Sequence, residues 1–201
     1  MKMNRVVDDQ ILHEPLPPDE PFLGGEATRL HGMSILNYWQ WGVSGIVGNT
    51  ERGNLAEFLV AHAIEATDRV RNTWDDYDLI TKELIKVEVK SAAFIQSWKQ
   101  PRLSSPRFSI AKTKGSWDFS DSLPETRYAD VYVFCLLSHL HKETINPMDV
   151  SQWKFYLLKT TEIEQDLSNA KSISLKALRT RSRQYQYQEL HSGIRTLINS
   201  G

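Results

Sequence analysis

Polar and apolar positions alternate from Ile85 to Ala92, so that Val87 and Val89 fall on one side of an extended chain and Glu88 and Lys90 on the other. That two-residue period predicts a strand over Leu84–Ala92, preceded by strands at Arg69–Thr73 and Tyr77–Thr81. Further strands are predicted at Phe108–Lys112, Asp130–Ser138 and Trp153–Lys159. Val131-Tyr132-Val133-Phe134-Cys135-Leu136-Leu137 is apolar without interruption, as expected of a central strand covered on both faces. Between these runs the spacing turns helical. Residues 30–43 set Ile35, Leu36, Trp39 and Val43 on one face and bring Tyr38, Trp39 and Trp41 to a core or an interface. A second helix starts near Thr50 or Asn54, either of which can cap it, and runs to about Ala66. Thr160–Ser168 reads as a short helix, and the chain from Leu175 as a strand-to-helix tail ending near Asn199. Ser116–Arg127 reads as a loop anchored by Trp117, Phe119 and Pro124. The pattern is that of an α/β protein with a central mixed sheet flanked by helices.

A chain of 201 residues suffices for one such domain with a short appendage. Residues 1–26 form the appendage: Asp8, Asp9, Glu14, Asp19, Glu20 and Glu26 outweigh Lys2 and Arg5, and Pro15, Pro17, Pro18 and Pro21 break regular structure. We expect an extended or disordered acidic tail there, and a single domain over 27–201. One cysteine, Cys135, excludes an internal disulfide, and its apolar surroundings make it a core residue. No basic-then-apolar leader and no membrane-length apolar stretch is visible, so a cytoplasmic protein is expected.

The formal net charge of -1 offers nucleic acid no global attraction, but cations cluster locally. Lys99, Arg102, Arg107, Lys112 and Lys114 form one run without an acid, and Lys176, Arg179, Arg181 and Arg183 another. His139-x-His141 has the spacing of a metal-ligand pair but lacks a third ligand, so an exposed loop is the better reading. Neither a Gly-rich phosphate loop nor a Gly-x-Ser-x-Gly nucleophile is present.

The chemistry concentrates in Trp74-Asp75-Asp76-Tyr77-Asp78 and Lys86-Val87-Glu88-Val89-Lys90-Ser91. If Thr81-Lys82-Glu83 turns tightly, Asp78 lies beside Glu88, and a carboxylate pair shares one sheet face with the Lys90 ammonium. This order, an acid, a gap and then Glu-x-Lys, resembles the PD-(D/E)XK nuclease superfamily, with Tyr77 where its proline usually stands. The wider pattern resembles an uncharacterised bacterial group within that superfamily. The resemblance covers roughly residues 30–180 and implies a restriction-endonuclease-like fold and a further acid on the preceding helix, where Glu57 stands.

On this reading the protein hydrolyses phosphodiester bonds, as a DNA endonuclease or a related DNA-processing enzyme using Mg²⁺ or Mn²⁺. Asp78, Glu88 and the Val89 carbonyl would hold the ion, Glu57 would complete the shell or orient water, and Lys90 would stabilise the transition state. Gln96, which follows as the chain leaves the strand, and Lys99, Arg102, Arg107, Lys112 and Lys114 are candidate substrate contacts. Asp130 is assigned a structural role, with Arg127 as its expected partner. Sequence specificity would come from loops, homodimerisation or a separate partner. Two rivals remain: a nucleic-acid-binding module that keeps the fold without cutting, and a structural domain whose charges are incidental.

Overall fold

A computed structural model describes residues 4–7, 10–26, 28–72, 75–115 and 124–200. The central sheet is built from β3 (Leu79–Ile80), β4 (Lys86–Ala93), β6 (Val131–Leu137) and β7 (Trp153–Lys159), in the order β3-β4-β6-β7. β3 and β7 run antiparallel to their neighbours, and β4 and β6 are parallel, so the sheet is mixed as expected. Every side chain of β6 is buried, whereas β4 keeps Val87 and Val89 buried and Glu88 and Lys90 half-buried. Alternation in β4 therefore separates a packing face from a chemical one.

Helix α2 (Asn49–Ala63) covers the first face through Ala56, Leu59 and Val60, joined by Leu190 and Ile194 of α5 (Leu190–Asn199). The other face carries Tyr132, Phe134, Tyr156 and Leu158. It is closed by Phe108 of β5 (Arg107–Ser109), Ile173 of β8 (Ser172–Ser174), Ile163 of α3 (Thr160–Leu167) and Leu178 of α4 (Leu175–Arg179). β5 and β8 pair as a separate two-stranded ribbon. Arg127 braces this side: its buried guanidinium binds Glu164 at 2.6 Å and donates to the carbonyls of Ile110, Leu167, Ser168 and Ala170.

Several elements differ from their sequence pattern. Over residues 69–72 there is no strand: Arg69 pairs with Asp75 at 3.1 Å, Asn72 donates to Asp75 and Arg71 pairs with Glu57, so side-chain partners replace a ladder. Thr73 and Trp74, and the loop residues Ser116 to Leu123 with Trp117 and Phe119, lie outside the described residues. Helix α1 spans Ile35–Val43 only, because Gly32 at φ +76° is left-handed and interrupts the helical path. None of its residues is buried, and Tyr38 and Trp41 are exposed, so they do not belong to the core. Gly48, not Thr50 or Asn54, stands at the cap of α2. At the amino terminus, β1 (Asn4–Val7) and β2 (Gln10–His13) pair antiparallel where an irregular tail is expected. The prolines that break regular structure all follow this hairpin. Among the described residues, no helix is long and apolar enough to cross a membrane.

Candidate active site

A tight turn joins β3 to β4: Thr81 N–H donates to Ile85 C=O at 3.0 Å, and Leu84 N–H to Thr81 C=O at 2.9 Å. Leu84 sits at φ 64°, a left-handed conformation that a leucine adopts only at a cost. The register Leu79↔Val87 sets Asp78 opposite Glu88 at the next step. Pairing stops there, and Asp78 Oδ2 instead accepts the Val89 N–H at 2.7 Å. Because one residue's N–H and C=O leave a strand on the same side, the Val89 carbonyl faces the edge that carries Asp78.

Three carboxylates thus approach one sheet edge from different elements. Glu88 lies on the face of Tyr132 and Phe134, ion-paired with Lys90 two residues along. Glu57 comes from α2 on the opposite face, where Arg71 Nε and Nη2 grip both its oxygens, the second at 3.0 Å. Asp78 sits between them. Burial pushes its carboxyl up to about 7, and the charges of Glu88 and Glu57 add to the shift against the opposing Lys90 charge and the Val89 N–H. Burial also raises the Tyr132 hydroxyl, again with help from Glu88.

Beside this edge lies a cleft of about 180 Å³, lined by Asn54, Glu57, Arg71, Asn72 and Asp78 among others. Glu57 and Asp78 line it, whereas Glu88 and Lys90 lie on the other face of the sheet with Tyr132 and Phe134. Among the described residues no three Cys, His, Asp or Glu side chains are gathered closely enough to hold a metal ion. The reason is visible in the pairing: Lys90 holds Glu88, Arg71 holds Glu57, and the Val89 amide holds Asp78.

The other candidates are distributed more widely. Gln96 accepts from Arg52 Nη1 at 3.3 Å and donates to the Ala93 carbonyl at 3.0 Å. Lys99, Arg102 and Arg107 are exposed on the segment after β4, with Arg107 donating to Ser172 Oγ at 2.8 Å. Lys112 pairs with Glu164 at 3.1 Å, and Lys114 is exposed. In the second basic run, Arg181 reaches Asp166 and Arg183 pairs with Glu189 at 2.9 Å while stacking on Tyr185. Asp130 does have a structural role, but its partner is the Lys86 N–H at 2.8 Å, since Arg127 is taken by Glu164. His139 bonds Thr144 in the loop after β6, and Cys135 is fully buried in the core.

Two residues escaped the sequence reading. Arg71 had no local signal, because its partner lies 14 residues away. Arg52 had one: it shares the helical stripe of Ala56, Leu59 and Val60, and an arginine on a packed face is itself anomalous.

Comparison with known families supplies an independent observation. The family model described as bacteriophage T4 endonuclease IV matches residues 40–177, which include α2, the β3–β4 hairpin, β6 and β7. No individual curated protein matches the chain.

Proposed function

The chain belongs to the bacteriophage T4 endonuclease IV family, and from that premise we propose that it is a divalent-metal-dependent endonuclease acting on DNA at Asp78, Glu88 and Lys90. The observation that carries this reading is the β3–β4 edge, where Asp78 stands opposite Glu88 with Lys90 on the same face. A helix bearing an acid, an acid immediately before a strand and a strand bearing Glu-x-Lys occur in the order of the PD-(D/E)XK superfamily, and this order supports placing the family there.

The donor set fits a hard cation such as Mg²⁺ or Mn²⁺. Asp78, Glu88, Glu57 and the Val89 carbonyl offer only oxygen, and the crowding of negative charge that raises Asp78 is what a cation would relieve. When bound, the ion would supply positive charge to the phosphoryl group and lower the pKa of water. Asp78, Glu88 and the Val89 carbonyl would hold it, and Glu57 would orient water beside it. Lys90 turns from Glu88 toward the phosphate and donates to an oxygen that gains charge in the transition state. The exposed cations Lys99, Arg102 and Arg107, with Lys112 and Lys114, draw the DNA backbone toward this edge.

The Lys90–Glu88 and Arg71–Glu57 ion pairs favour one rival, a nucleic-acid-binding module in which these charges only brace the edge. A Lys90→Ala variant separates the two. For an enzyme, removal of a preorganised charge-stabilising group lowers Mg²⁺-dependent cleavage of plasmid or oligonucleotide DNA by about 10²-fold or more while binding persists. Equal cleavage by the folded variant would show that the active site lies elsewhere. Binding without cleavage by the unaltered protein, across duplex and single-stranded substrates, would establish the module.

A further inference from the structure

The buried guanidinium of Arg52 has no place in the reaction described so far. Arg52 is 4% exposed, and among the described residues no carboxylate pairs with it. Nη1 donates to the Val47 carbonyl at 3.1 Å and to Gln96 Oε1 at 3.3 Å, and Nη2 donates to Asn49 Oδ1 at 2.8 Å. Nε is buried and, among the described residues, has no hydrogen-bond partner. An arginine has five N–H donors, so the Nε–H and the second Nη2 hydrogen remain. These two form the side-on fork that matches two oxygens of a phosphate or carboxylate.

The same chain shows what a purely structural buried arginine looks like. Arg127 is 7% exposed, yet it has a carboxylate in Glu164 and four carbonyl partners, and its Nε donates to Ile110 at 2.7 Å. Arg52 has only neutral partners, and burial alone lowers its pKa, with no neighbouring acid opposing the shift. A positive charge kept in this state is short of one anion.

The surroundings supply a place for that anion. Arg52 lines an open cleft of about 420 Å³ together with Asn49, Ser91, Gln96, Ser105 and Arg107. The 15-residue helix α2 begins at its edge with no side-chain cap, which directs its first amides and the positive end of its dipole there. Arg107 is exposed at the rim. Ser91 adjoins Lys90 in sequence, and Arg52 lies five residues before Glu57, about 7.5 Å of helical rise.

We propose that Arg52, with Gln96, Ser91 and Arg107 around it, forms a phosphate subsite that holds a non-scissile backbone phosphate of the DNA strand cut at Asp78 and Glu88. The proposal rests on the endonuclease reading for the source of the phosphate, but not for the anion site itself. Arg52 is a positioning residue, which orders the strand so that the scissile phosphate lies at the β3–β4 edge.

The test follows the Arg52 Nε–H signal by ¹H–¹⁵N spectroscopy of the full chain, titrated first with inorganic phosphate and then with short single-stranded and duplex oligonucleotides. The expected result is a saturable shift of this signal with both. In a folded Arg52→Lys variant, which keeps the charge but loses the fork, oligonucleotide affinity falls by about tenfold or more while the salt dependence of binding stays unchanged. Cleavage at saturating DNA then changes less than KM. Should Arg52→Lys fail to fold, Arg107→Ala at the rim is expected to weaken phosphate binding without altering stability. A shift with phosphate but none with DNA would overturn the backbone-phosphate assignment. No shift with either would overturn the subsite. A shift with phosphate in a protein that neither binds nor cuts DNA would refute the endonuclease reading and leave an anion site for another phosphorylated ligand.

Discussion

Replacing Asp78 by Asn removes a charge that the folded protein holds at a cost. The Asp78 carboxyl titrates at about 7 in the fold against an ordinary 3.8, chiefly through burial and then through Glu88 and Glu57. Between those values the folded state keeps a proton that the unfolded chain has released, so stability declines as pH rises from about 4 to 7. At about 1.4 kcal/mol per unit, the shift sets a ceiling of about 4 kcal/mol on this penalty above pH 7. Because the neighbouring carboxylates share the repulsion, about 2–4 kcal/mol is the expected range. Asp78→Asn carries no charge at any pH, and its side-chain oxygen can still accept the Val89 N–H. Urea unfolding in EDTA should therefore find the variant more stable at pH 8, with a midpoint higher by about 1 M or more, and the gap closing toward pH 4. Mg²⁺ at a hundred times Kd should stabilise only the unaltered protein, by about 2.7 kcal/mol, and so offset most of that gap. A variant that is less stable at pH 8 without metal, or a difference that does not vary with pH, would refute the reasoning.

Arg71 neutralises Glu57 beside Asp78 but is 40% exposed, so Arg71→Gln should raise the affinity for Mg²⁺ in calorimetric titration by about two- to fivefold, as expected of a solvent-screened pair. Arg127→Ala should destabilise the fold by about 3–5 kcal/mol in chemical denaturation, since it leaves the Ile110, Ser168 and Ala170 carbonyls without their donor at once, while Glu164 keeps Lys112. A loss below about 1 kcal/mol there would mean that water replaces the guanidinium.

Most of what the sequence determined by itself is local. The alternation in Lys86-Val87-Glu88-Val89-Lys90 specifies a half-buried strand, and the unbroken apolar run to Leu137 specifies a central one, because side-chain direction along a strand follows from backbone geometry alone. A short turn then brings Asp78 opposite Glu88, so the heart of the candidate site was legible within about a dozen residues. The strand expected over residues 69–72 failed for the opposite reason: its charged side chains find partners on α2 and beyond, and no local pattern records such partners. Only the tertiary structure decided that Trp41 lies exposed and that Glu57 is gripped by Arg71. It alone joined Arg127 to Glu164, 37 residues on, and Arg52 to Gln96, 44 residues on. A buried charge is stable only with partners that replace its water, and those partners come from whichever segments the packed sheet brings alongside.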